Sequence, residues 1–80
     1  MMPEPIQSCL DDIAPGEEAT VRCIGGHGPV RRRLLEMGFV PGTRVRVIRF
    51  APLGDPMEIS LHGYNISLRR AEARAILVQR

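Results

Sequence analysis

Polar and apolar residues alternate over short stretches of this chain, and at one place the pattern changes to a helical period. Ala19, Val21 and Cys23 alternate with Thr20 and Arg22, which predicts a first strand over Glu18–Ile24 with Cys23 as a small buried side chain. Val45 and Val47 alternate with Arg44 and Arg46, and Ile48 and Phe50 extend that strand, which is placed at 43–50. Met57–Leu61 and Tyr64–Leu68 alternate on either side of His62-Gly63, the pattern of a tight hairpin. Residues 75–78 read as a last strand that pairs with the first.

Between the first two strands, Val30, Leu34 and Met37 share one helical face, with Leu35 at its edge. The helix is placed at 30–37. Pro29 stands in its first turn, where no backbone N–H is needed. Gly38 is free to take the left-handed conformation that ends helices. Phe39 and Val40 are expected to pack back on the core before Pro41-Gly42 turns the chain. Leu10 and Ile13 fit one helical turn over an end of the core, closed by Pro15-Gly16. Residues 69–73 read as a second short helical turn. Residues 1–8 hold two prolines and no periodicity, so they read as a flexible tail.

Five short strands and one short helix cannot make a large sandwich. The economical solution is mainly β: a small, partly open SH3-like barrel that hides most of its sheet edges, with the helix after the first strand. An OB-fold is the alternative but usually takes a longer chain. Eighty residues make one domain, placed at 9–80. A chain of this size buries only roughly 60% of its unfolded surface, which leaves no room for a deep substrate cavity and weighs against an enzyme. Its apolar fraction of 44% is that of a globular protein, and its only aromatics are Phe39, Phe50 and Tyr64, so the core is aliphatic.

Net charge adds little: eleven basic residues, all arginine, against nine acidic ones give +2. That balance does not demand a nucleic acid. Arg22, Arg44 and Arg46 fit one sheet face, yet Tyr64 alone is placed to stack a base, so a nucleic-acid-binding barrel is a minor alternative. Cys9 and Cys23 are too few and too far apart for a disulfide scaffold or a thiolate zinc site. No leader pattern is visible, and the apolar runs fall far short of the roughly 20 residues that cross a bilayer. A cytosolic domain is expected.

Candidate chemistry along the chain is sparse. His27 in the 25–28 glycine loop and His62 at the hairpin tip read as exposed turn residues. No His, Cys, Asp or Glu pair has the close spacing of a preformed metal site, so no metal ligand is assigned. Asp11-Asp12 and Glu17-Glu18 are neighbours that point apart, toward solvent rather than into a catalytic dyad. Arg31-Arg32-Arg33 opens the helix behind a glycine-rich loop, a setting that can bind an anion, although the loop lacks the ending of a nucleotide phosphate loop. One of the three is expected to pair with Glu36. Positive charge at a helix start costs roughly 0.3–1 kcal/mol per residue, so three in a row suggest a use beyond stability. An acidic protein surface or the headgroup side of a membrane would suit them.

Leu10-x-x-Ile13-x-Pro15-Gly16, Arg33-Leu34-Leu35-Glu36-Met37-Gly38-Phe39-Val40-Pro41-Gly42, Ala51-Pro52-Leu53-Gly54-Asp55-Pro56 and Gly63-Tyr64-Asn65-Ile66-Ser67-Leu68-Arg69 follow in this order. On these pieces, across nearly its whole length, the chain resembles FeoA, the small cytosolic component of bacterial ferrous iron transport. The resemblance implies the SH3-like barrel again. It also implies a non-enzymatic accessory or regulatory role beside FeoB, the membrane permease with a GTP-binding domain, by protein–protein interaction in the cytoplasm, peripheral to the inner membrane through that partner. It implies no catalytic residues and no cofactor beyond weak Fe(II) binding. Arg31, Arg32, Leu35, Pro52, Leu53 and Asp55 are the expected partner contacts. The same barrel ends iron-dependent repressors, so a metal-responsive sensor module is the alternative. The glycines and histidine of the 25–28 loop stand apart from the family pattern.

Overall fold

The structure is a computed structural model and describes residues 7–26 and 28–80. In chain order it contains β1 (Gln7–Cys9), β2 (Glu18–Ile24), α1 (Pro29–Met37), β3 (Arg44–Phe50), β4 (Met57–Leu61), β5 (Tyr64–Leu68), α2 (Arg70–Ala73) and β6 (Ile76–Gln79). A single 3-10 turn, Leu10–Asp12, follows β1. The strands form one open antiparallel sheet in the order β1-β6-β2-β3-β4-β5. This is the mainly β architecture expected, with one more strand. Beyond the outer half of the first-to-last pairing lies β1, whose Gln7 and Ser8 pair with Gln79 and Val78. The tail expected over 1–8 therefore includes two residues of a strand; its first six lie outside the described residues.

Alternation puts Val45 and Val47 of β3, and Met57, Ile59 and Leu61 of β4, into one aliphatic core. Leu10 and Ile13 close one end of it, both fully buried, as their spacing predicts. In β2 the alternation breaks. Ala19 and Val21 point inward, but the pairing with β6 shifts between Val21 and Cys23, so Ile24 takes the next inward place and Cys23 is exposed. An extra residue in one strand reverses every side chain after it, which is why Cys23 is not the core residue that simple alternation predicts. A second shift, between Val47 and Arg49, kinks β3 against β4.

The hairpin between β4 and β5 turns on His62 (φ 53) and Gly63 (φ 83). Two positive φ values make the turn type whose twist matches the flanking strands. Helix α1 starts at Pro29 and stops at Gly38, which has φ 113 and ψ 6. The Gly38 and Phe39 amides then donate to Leu35 and Leu34 carbonyls. Only the C-terminal half of α1 meets the core: Leu34 is fully buried, with Leu35 and Met37 packed against it. Val30, expected on that face, is 48% exposed, because the first turn of the helix overhangs the sheet. Val40 is also outside, at 44% exposure, on the crest of a turn in which the Thr43 amide donates to its carbonyl. Phe39 is the residue that packs back.

Candidate functional site

The exposed start of α1 carries an open concavity. Gly26, Gly28, Arg31, Arg32 and Leu35 line an open cavity of about 500 Å³. Leu35 is half-buried and forms its apolar wall, while both arginines are exposed. Three of the six expected contact residues thus meet in one place. His27 belongs to this loop but lies outside the described residues.

The three arginines differ. Arg33 reaches Glu72 of α2 at 3.0 Å rather than Glu36, which stays exposed. Glu72 keeps only 13% of its side-chain exposure, and its other oxygen accepts the Arg69 amide. It both caps α2 and anchors α1. Nothing in the hydrophobic pattern marks it; an acidic residue at the third position of a helix was the available signal. Arg31 and Arg32 have no carboxylate in ion-pair reach among the described residues. Two uncompensated guanidinium groups beside the positive end of a helix dipole gain only by meeting an external anion.

Pro52, Leu53 and Asp55 lie on the loop between β3 and β4, which does not line that cavity. Short backbone bonds hold this loop: the Gly54 amide donates to the Ala51 carbonyl and the Ala51 amide to the Pro56 carbonyl, at 2.7 and 2.9 Å. Leu53 stands at its tip, 96% exposed. Asp55 is also exposed, and its Oδ1 accepts the Arg70 amide at 3.1 Å, so it caps α2. Arg70 in turn lays its guanidinium 4.9 Å from the Phe50 ring centre and donates to the Asp11 carbonyl. The loop and α1 are therefore separate surfaces fastened to the same short helix, one through Asp55 and the other through Glu72.

Other polar groups are structural. Asp11 is not solvent-facing: its side chain is 9% exposed and takes the Arg74 Nε at 3.1 Å. Asp12 accepts the Cys9 amide. Cys9, Asp11 and Asp12 offer atoms within 4.8 Å of one another, but both carboxylates already have partners. Burial pushes the Cys9 thiol up, and Asp12 and Asp11 push it further, so the protonated form persists. Arg44 and Arg49 are bound by Glu18 and Glu58 at 2.8 and 2.9 Å, which neutralises one of the three arginines of the expected basic face; Arg22 and Arg46 have no carboxylate in reach among the described residues.

The Arg49 hydrogen bond, and then its charge, hold the Glu58 carboxyl below its ordinary value. A depressed carboxylate favours folding above its unfolded value of about 4.3 and loses that contribution as pH falls through the folded one. A side-chain NMR titration should find the Glu58 carboxyl deprotonating below the ordinary glutamate value, and Arg49→Gln should abolish the difference. An unchanged Glu58 titration in that variant would show that the ion pair is not formed in solution.

Comparison with known proteins places the chain. The FeoA domain model matches residues 9–80. A curated Fe(2+) transport protein A/Fe(2+) transporter FeoB fusion protein of Porphyromonas gingivalis is 41% identical over 70 residues, covering 88% of this chain and 8% of that protein. The present chain thus corresponds to a small part of that relative. The FeoA-like protein of Clostridium acetobutylicum superposes with a TM-score of 0.86 at 37% identity, over 91% of this chain and 85% of that one. FeoA of Stenotrophomonas maltophilia, a prokaryotic SH3 domain protein solved with zinc, gives 0.80 at 28% identity, over 89% and 88% of the two chains.

Proposed function

The chain belongs to the FeoA family, and from that premise we propose that it is a non-enzymatic accessory domain of ferrous iron transport. It docks, in the cytoplasm, on the cytosolic part of an FeoB-type permease. One observation carries this reading: in the Porphyromonas gingivalis relative the matching segment and an FeoB transporter share one polypeptide. Fusion of two chains is a permanent form of association, and a separate domain must supply by affinity what the fusion supplies by tethering.

The docking surface is the start of α1. Arg31 and Arg32 have no carboxylate partner among the described residues, the apolar wall is Leu35, and Leu53 adds an exposed apolar contact on the loop between β3 and β4. Arg31, Arg32, Leu35, Pro52, Leu53 and Asp55 touch the partner, and Asp55 also sets the loop's position by accepting the Arg70 amide. No helix among the described residues is long and apolar enough to cross a membrane; in this reading the partner holds the domain at the bilayer.

Calorimetric titration of the chain with the permease's cytosolic domain is the test. Arg31→Glu combined with Arg32→Glu should weaken binding by roughly 10- to 100-fold, mostly through slower association at low salt. Equal binding by the parent and the double variant removes the arginine face from the interface. No binding by either removes the reading itself.

A further inference from the structure

A second surface, on the outer face of the sheet, has the chemistry of a carboxylate site. Three arginines of β3 point outward: Arg44, Arg46 and Arg49. The outer two are neutralised by Glu18 and Glu58. The middle one, Arg46, has no carboxylate in reach among the described residues. Glu18 stands opposite it in register but is taken by Arg44. A bare guanidinium between two compensated ones is an unmet charge, and arginine is the side chain best shaped to take a carboxylate in two parallel hydrogen bonds.

Arg46 lines an open cavity of about 320 Å³ with Gly16, Val47, Ile48, Ser60 and Asn65. The strand register explains the grouping: Arg46 faces Ser60, and Ser60 faces Asn65. Ser60 is short, so the guanidinium and the Asn65 amide open onto the same space. The floor is fixed, because the Gly16 amide donates to the Val47 carbonyl and the Val47 amide to the Glu17 carbonyl.

The cavity adjoins a free sheet edge, since β5 ends the strand order. The two-residue turn makes Leu61 and Tyr64 a hydrogen-bonded pair, and with Ile59–Ile66 and Met57–Leu68 the pattern repeats every second residue. The backbone groups of Asn65 and Ser67 therefore point away from β4, toward solvent. A segment added there shares faces with its neighbours, so a residue opposite Asn65 projects its side chain toward the cavity.

We propose that β5 and the Arg46 cavity together bind an extended acidic segment of a partner protein. The segment adds as a strand through the main chain of Asn65 and Ser67, and one Asp or Glu side chain is received by Arg46, Ser60 and Asn65. Charge complementarity selects this occupant. The surface is distinct from the start of α1 and does not depend on the FeoB reading.

The probe is a phage-displayed library of random linear peptides selected against the full chain, followed by titration of a recovered peptide into the isotope-labelled protein. Enriched sequences should share an acidic residue in an alternating pattern, and the NMR footprint should centre on Asn65, Ser67 and Ser60. Arg46→Gln should lose at least about tenfold in affinity, while Arg31→Glu with Arg32→Glu binds as the parent does. Arg46 is exposed, so its variant folds, and the spectrum of the free protein checks this. No enrichment, enrichment without an acidic residue, a footprint on α1, or equal binding by Arg46→Gln would each overturn the proposal. So would the same shifts on concentrating the chain without peptide, which would assign the edge to a second copy.

Discussion

Phe39→Ala should bring the chain to the edge of unfolding at room temperature. Phe39 is fully buried and is the largest side chain in the core. Truncating a buried phenylalanine costs about 3–5 kcal/mol through lost transfer energy and the cavity left behind. A domain of 80 residues sits near the low end of the roughly 5–15 kcal/mol typical of native proteins, so one such loss takes most of its stability. Phe39 also follows directly on the end of α1, and its amide donates to Leu34. The loss should therefore loosen the helix that carries Arg31 and Arg32. Far-UV circular dichroism during a thermal melt reads the outcome. A cooperative transition within a few degrees of the parent's would mean that the core does not close around this ring.

Gly38→Ala should have the second-largest effect on stability. At φ 113 and ψ 6 Gly38 lies in a region that side chains resist. An added Cβ would also stand 3.2 Å from His62 Cδ2 and 3.4 Å from Leu61 Cδ2. Backbone strain of this kind costs about 1–3 kcal/mol, and the contact with the ring adds to it. Gly42→Ala separates the two causes: Gly42 has φ 92 but open space around its Cβ position, so it carries the strain alone. In urea melts the Gly38 variant should lose more than the Gly42 variant at an unchanged slope. Removing the ring with His62→Ala should recover part of that excess, because the two sites touch. Equal losses at the two glycines would show that His62 does not pack over the end of α1.

Residues with strong local signals were legible in the chain. The hairpin could be placed because alternation flanks a two-residue turn, and α1 because Pro29 and Gly38 mark its ends. Two kinds of feature were not legible. One is strand irregularity: the shift after Val21 exchanges Cys23 for Ile24, and no residue type in that strand announces it. The other is polar pairing across distant segments. Arg33 has Glu36 nearby in sequence but bonds Glu72, because β6 brings α2 back beside α1 once it pairs with β2. For the same reason β1 was hidden: three residues without alternation become a strand only when β6 offers an edge. At the candidate site, Arg31, Arg32 and Leu35 were readable as a charged helix start. That Asp55 would cap α2 through the Arg70 amide depends on tertiary structure alone.

We propose the start of α1 as the surface that meets the permease. The most direct measurement is an NMR titration of the isotope-labelled chain with the cytosolic domain of an FeoB-type permease. The largest shifts should fall on the Gly28 and Arg31–Leu35 amides, with smaller ones on Leu53. Shifts confined to β3, β4 and β5, with α1 unmoved, would contradict it.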